Sequence, residues 1–303
     1  MNGDFLAYVG HGVQDPVSSV QQNLAELDTR QQSLYRARAF WLGELLADQA
    51  RDTLPLADDL QELLEQLTAN SSLAHDSYAA ALQYADLLAL CSEITAHCPT
   101  LYESVFADLF GTCQSPSPEA QGRVAYVENS YTEQAFMELT GFIKNRRVAY
   151  FHGFEDVCQE VHSGLCEYGI LPVESTADGT MAGLLRLIEL YDLRICALCY
   201  VPTPQSGRTA FALVRASLPI QQPLQQYCID LLLSPALPTN AGTLITVATL
   251  CSHTLLHAST YTGQDTEQFR LRFAIEPSTL YPFLLYLLLF CADVTPIGFY
   301  PVK

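Results

Sequence analysis

The stretch Gly169-Ile-Leu-Pro-Val-Glu-Ser-Thr-Ala-Asp-Gly179 decides how this chain is read. Residues 170–173 form a short apolar run before a turn, the pattern of a buried strand. The run ends in Glu174 and a turn rich in Ser and Thr. A helix is predicted from 179 to 190, with Met181, Leu184, Leu185, Leu187 and Ile188 on its apolar face. A strand entering such a turn gathers hydroxyls, a carboxylate and helix-start N–H groups at one point, where a small anionic ligand can bind. A second short motif, Thr209-Ala-Phe211, follows soon after.

Around this stretch, strands and helices alternate. Strands are expected at 124–127, 148–151, 169–173, 193–200 and 209–214, and helices at 131–142, 155–162 and 179–190. That is an α/β pattern with a mainly parallel sheet. From about 226 the order becomes β-α-β-β-α-β, with strands at 228–233, 255–261, 269–275 and 294–300 and helices at 242–251 and 280–292. The last helix is apolar on all faces and needs cover on both sides, so a homo-oligomer is expected. Upstream, Gly111 to Gly122 is linker-like in its Pro, Ser and Gly content. Before it Val20, Leu24, Leu27, Leu34, Trp41 and Leu45 make one helical stripe, and further helices are expected near 60–67 and 78–94. The expected division is a helical domain at 1–112, a linker at 113–122, an α/β lobe at 123–217 and a C-terminal domain at 226–303.

The length of 303 residues suits two or three domains. No segment is long and uncharged enough to span a bilayer, and the start lacks the basic region of a secretory signal. Ten scattered cysteines fit a reducing cytosol. Cys196-Ala-Leu-Cys199 reads either as core thiols or as a redox or metal pair, without a second ligand pair to favour the latter. A net charge of −18 argues against nucleic acid or anionic membrane as partners. The first 122 residues hold seventeen acidic side chains against four arginines, Arg30, Arg36, Arg38 and Arg51. Arg38 interrupts the first helical stripe and should point inward, either as a salt bridge or as an anion site. His152 and His162 lack a partner pattern and read as surface residues.

With Met181 added, the 169–179 stretch resembles the hallmark of prephenate dehydratases, Gly-x-x-Pro-[Ile/Val]-Glu-Asn-[Ser/Thr]-x-x-Gly-x-Val. Ser175 stands where that family has Asn, and Met181 where it has Val. Ala125-Tyr-Val-Glu-Asn-Ser-Tyr-Thr132 is similar to the family's Gly-Pro-x-Gly-[Ser/Thr]-[Tyr/Phe]-Ser, with the turn shortened to Glu128-Asn129. The resemblance implies a fold like the two-lobed type II periplasmic binding proteins, substrate lying in the cleft. Only 201–208 lie where the second lobe would be inserted, and units below ~40 residues seldom fold. The second lobe is absent, and Ala210 replaces the Arg of the returning Thr-Arg-Phe, with Arg208 nearby.

The final segment resembles an ACT domain, most closely in its ending Ile297-Gly-Phe-Tyr-Pro301. The resemblance implies effector contacts at Gly242, Thr243, Leu244 and Ser259, although Ser259-Thr-Tyr-Thr262 replaces the family's Glu-Ser-Arg-Pro. The first segment resembles a helical chorismate mutase domain, implying an anion-binding remnant at Arg38, Asp58 and Glu62. Gln21, Gln49 and Gln61 stand where cations are expected, each exchange removing a charge-assisted contact worth ~1.5–3 kcal/mol. Mutase activity is not expected.

By the same resemblance, Thr209 would donate to the leaving hydroxyl of prephenate, and Glu174, Ser175 and Thr176 would line the anion and ring pocket. No cofactor or metal is implied. With half a cleft the pocket should lie open to solvent. One reading is a catalytically impaired homologue acting as a regulatory, oligomeric or small-metabolite-binding protein, its ligand prephenate, phenylalanine or similar. A second is an active dehydratase whose cleft a neighbouring subunit completes. A third is a helical oligomerisation protein with a decayed α/β domain.

Overall fold

The computed structural model describes residues 84–99 in part, then 101–112, 116–177, 179–203, 207–219, 226–233, 241–262, 267–291 and 294–301. Arg38, Asp58 and Glu62, with the first two expected helices, lie outside the described residues. Helical residues between 84 and 96 lead into α1 (Leu101–Phe110). The α/β part follows as β1 (Arg123–Val127), α2 (Ser130–Leu139), β2 (Arg147–Phe151), α3 (Phe154–His162), β3 (Tyr168–Ser175), β4 (Gly179–Thr180), α4 (Ala182–Leu190), β5 (Arg194–Thr203) and β6 (Gly207–Arg215). The chain ends with β7 (Tyr227–Leu233), α5 (Ala241–Leu250), β8 (Thr254–Thr262), β9 (Glu267–Ile275), α6 (Leu280–Phe290) and β10 (Val294–Pro301).

These strands make a single sheet in the order β2-β1-β3-β6-β5-β10-β7-β9-β8, with β4 folded back on β3. The expectation of a mainly parallel sheet is corrected. Only β1 with β2 and β3, and β10 with β5, are parallel. The cause is the short step noted in the sequence: residues 204–206 alone join β5 to β6, so β6 must run back antiparallel. It pairs with β5 from Arg194↔Arg215 to Thr203↔Gly207, and on its other edge with β3. Gly207 adopts φ +70, and a Cβ there would lie 2.7 Å from Thr176 Oγ1, so the hairpin can close against the 169–179 turn only with glycine.

The C-terminal strands lie in the order β10-β7-β9-β8, the split β-α-β arrangement of a ferredoxin-like unit. They join the rest through one cross-strand pair, Gly298↔Ile195. A Cβ on Gly298 would stand 2.8 Å from Ile195 Cβ, so only glycine lets β10 come this close to β5.

Helices cover both faces. On one, Val157, Cys158 and Val161 of α3 and Leu185 and Ile188 of α4 pack with Leu171, Val173, Ala212, Ile297 and Tyr300. On the other, Ala135, Phe136 and Leu139 of α2 cover Val124, Ile170 and Leu213. On that same side α1, α5 and α6 bury Ile229, Leu231, Phe273 and Phe299. Much of the cover that α6 needs comes from the chain itself, while Leu288, Leu289 and Phe290 stay partly exposed. Tyr102 of α1 meets Tyr281 edge-on at 5.3 Å, and Phe106 and Phe110 meet Phe299 at 5.6 and 5.7 Å. Leu88, Cys91 and Ile94 join the same core.

Candidate ligand site at the seam of the sheet

The 169–179 stretch ends β3 and folds back as β4, with Glu174↔Thr180 and Ser175↔Gly179 in register. Gly179 has φ +74, which suits the tight reversal. No helix starts at Gly179, contrary to expectation. Met181 N donates to Val173 O at 2.9 Å, and the helix opens only at Ala182. The cluster of helix-start N–H groups is therefore displaced from the turn's hydroxyls.

The four catalytic candidates are neighbours along the backbone, but Glu174 points to the face of Ala210 and Ser175 with Thr209 to the other face. Glu174 pairs with Ala210 and Ser175 with Thr209 across β3 and β6. Thr176 is bonded to Arg208 both ways: its N–H donates to Arg208 O at 2.9 Å, and its Oγ1 accepts from Arg208 N at 3.0 Å. Of these residues Thr176 is exposed and Glu174 half-buried, whereas the other two are covered. Ser175 is 3% exposed and Thr209 5%, and Thr209 Oγ1 lies 3.2 Å from Thr203 Oγ1. Ala210 is core, packed among Val173 and Leu185, while Arg208 is exposed on the hairpin.

Glu174 is held by groups the sequence reading did not single out. Its Oε2 lies 3.6 Å from Arg270 Nη1 and 3.6 Å from Arg272 Nη2, both on β9. Behind them Asp230 of β7 is fully buried. It accepts from Arg270 Nη2 at 2.6 Å, Arg272 Nε at 2.9 Å and the Tyr300 hydroxyl at 3.0 Å. Arg272 Nη1 reaches the Tyr200 hydroxyl at 3.3 Å. Burial alone would push the Asp230 carboxyl up, but the two guanidiniums outweigh it and hold it down at about 2. His257 of β8 faces the cluster. Desolvation lowers its pKa, Arg272 and Arg270 add to that, and Glu174 opposes it. Thr180 Oγ1 and Ser259 Oγ, 2.9 Å apart, tie β4 to β8 beside it.

The signal for this network was present in the sequence. Arg270 and Arg272 sit two apart in the apolar run 269–275, and Asp230 lies inside 228–233. Charges with a period of two in buried strands must share a face and find partners.

The expected effector residues do not converge within one chain. Thr243 Oγ1 meets the Tyr84 hydroxyl at 3.2 Å and Leu244 is buried in the α1–α5–α6 core, whereas Ser259 belongs to the seam. The Ser130-Tyr131-Thr132 motif caps α2: Asn129 Oδ1 accepts from Tyr131 N and Thr132 N at 3.0 and 2.9 Å, and Thr132 Oγ1 accepts from Asn129 N at 3.2 Å. Those N–H groups are not offered to an anion. The Cys196 thiol is pushed up to about 12 by burial and donates to Leu213 O at 3.3 Å. Among the described residues no His, Cys, Asp and Glu group could hold a metal. Among them, too, no helix is long and apolar enough to cross a membrane.

Residues 126–206, about a quarter of the chain, match the sequence family model of prephenate dehydratase. That stretch, carrying β3, the turn and the start of the hairpin, is prephenate-dehydratase-like. No curated protein matches the chain. Among solved structures, it is similar to prephenate dehydratase from Streptococcus mutans, at 16% identity and a TM-score of 0.48. That match covers 59% of this chain and 97% of that one. The enzyme from Arthrobacter aurescens, solved in complex with L-Phe, matches at 12% identity over 59% and 90% with a TM-score of 0.47. GqqA, described as a novel type of quorum quenching acylase, matches at 15% over 60% and 96%, also with a TM-score of 0.47.

Proposed function

We propose that the protein is a homologue of the prephenate dehydratases of phenylalanine biosynthesis, impaired in catalysis and acting as a regulatory or small-metabolite-binding protein. The observation that carries this reading is the fate of the hallmark carboxylate. Glu174 is tied to Arg270 and Arg272 of the C-terminal strands, and Ser175 and Thr209 are buried on the opposite face of the sheet. Family chemistry needs a cleft that admits prephenate and then excludes water around aligned groups. In this chain the hallmark carboxylate is instead engaged by two arginines of the C-terminal strands.

The β10-β7-β9-β8 order supports an ACT-like C-terminal domain, and the mutase-like reading of the N-terminal segment rests on its sequence pattern. The alternative, an active dehydratase completed by a neighbouring subunit, needs an open face. The burial of Ser175 and Thr209 within the chain's own strands argues against one. Purified full-length protein is expected to form no phenylpyruvate from prephenate at ordinary enzyme rates. Turnover at such rates, lost in Thr209→Ala, would overturn the reading.

A further inference from the structure

Three groups at the seam keep hydrogen-bonding capacity that the described protein atoms leave unused. Arg270 gives Nη2 to Asp230, yet its Nε and Nη1 have no acceptor although the side chain is 0% exposed. Glu174 Oε2 stands 3.6 Å from Nη1, close enough for an ion pair but too far for a hydrogen bond, and it too lacks a donor. His257 Nε2 is the third. Buried polar groups are ordinarily paired, and an unpaired guanidinium N–H calls for an anionic oxygen. We propose that the seam between the 169–179 turn and strands β8 and β9 binds a small carboxylate. Its oxygen takes the place of Glu174 Oε2 at Arg270 Nη1 and moves Glu174 toward His257. The inference rests on the small-metabolite reading above and names the ligand class for it.

Charge balance dictates how such a ligand binds. Asp230 and Glu174 already offset Arg270 and Arg272, so an added carboxylate leaves one buried negative charge in excess. A compensating proton has one natural acceptor. His257 faces Glu174 from β3, Arg270 and Arg272 from β9 and Asp230 from β7. In the free protein burial and the two arginines lower its pKa, against the pull of Glu174 and Asp230. With the carboxylate on Arg270 and Glu174 released from the guanidiniums, a proton on Nε2 pairs His257 with Glu174. Binding therefore takes up one proton for each carboxylate. The affinity falls about tenfold for each pH unit above the range where histidine titrates.

The test uses the full-length protein and acetate, the smallest probe of this class. Acetamide serves as the uncharged isostere, with sodium chloride at matched ionic strength. Thermal shifts and calorimetry in two buffers of different ionisation enthalpy are recorded between about pH 6 and about pH 8. Acetate should stabilise the fold where acetamide and chloride do not, with uptake of about one proton per site. Glu174→Gln removes the excess negative charge in advance, so it should bind acetate more tightly and without proton uptake. His257→Asn should bind weakly at every pH. No shift with acetate beyond chloride, binding without proton uptake in the unmodified protein, or weaker binding by Glu174→Gln would each overturn the proposal. The outcome is independent of the turnover assay, which reads dehydration and not occupancy of the seam.

Discussion

Asp230→Asn is the sharpest probe of the buried network. The side chain keeps its shape but loses its charge and turns one acceptor into a donor facing other donors. Asp230 now accepts from Arg270 Nη2, Arg272 Nε and the Tyr300 hydroxyl at 2.6, 2.9 and 3.0 Å. Removing one partner of a buried ion pair costs about 3–5 kcal/mol, because the surviving charge stays in low dielectric. Two guanidiniums are stranded here, but Glu174 Oε2 at 3.6 Å from each compensates in part. The expected loss is therefore at the lower end, about 3 kcal/mol. Urea unfolding of the full chain measures it as a drop in midpoint at constant slope. A companion variant replaces Asp230, Arg270, Arg272 and Glu174 together by Leu, Met, Leu and Gln, and it should recover most of that loss, since it leaves none of the four charges without its partner. A loss below about 1 kcal/mol in Asp230→Asn would refute the reasoning, because that is the range of a solvated pair.

Four further outcomes follow from the same structure. His253 is buried against Phe283, and its Nδ1 accepts from Glu276 N at 3.1 Å; burial lowers its pKa from 6.5 to about 4. Between those values the unfolded chain binds the extra proton, so stability should fall by about 3 kcal/mol as pH drops through that window. His253→Gln should abolish that slope in a pH series of unfolding free energies. Gly298→Ala places a Cβ 2.8 Å from Ile195 Cβ and should cost about 1–3 kcal/mol in melting experiments, unrelieved by Ile195→Val, which keeps the offending atom. Thr132→Val deletes a hydroxyl that donates to Val127 O at 2.6 Å and caps α2, for a loss of about 1–2 kcal/mol and faster amide exchange at residues 130–133. Cys196 should resist alkylation until denaturant is added; a fast-reacting Cys196–Cys199 pair would contradict the half-buried, raised-pKa thiol of Cys196 and the buried Cys199.

The elements from 123 onward lie within a few residues of where apolar periodicity and turn residues placed them. Those signals are local, and so are the elements. What stayed hidden was assembly. No local pattern says that β10 will lie beside β5, because one Gly298↔Ile195 pair decides it from about a hundred residues away. Glu174 stood out in the sequence as a candidate pocket carboxylate, but its pairing with β9 did not, since those arginines belong to a segment that reads as a separate domain. Arg270-x-Arg272 carried the clue in its spacing, whereas Asp230 as their counter-ion follows only from the pairing Asp230↔Arg272. The helix start was misplaced because Gly179 serves equally as a helix opener or as the positive-φ residue of a reversal, and β4 pairing selects the second.

The β5–β6 hairpin also bears on the order in which this chain folds. A strand that returns from an inserted lobe must wait for that lobe, and closing the intervening loop carries an entropy that grows with its length. Here residues 204–206 close the loop, so β5 and β6 can zip on the microsecond scale typical of hairpins. The ready-made ribbon offers β3 one edge and β10 the other, making it the template on which both halves of the sheet assemble. Substitutions in the ribbon, Gly207→Val first among them, should slow refolding more than they speed unfolding.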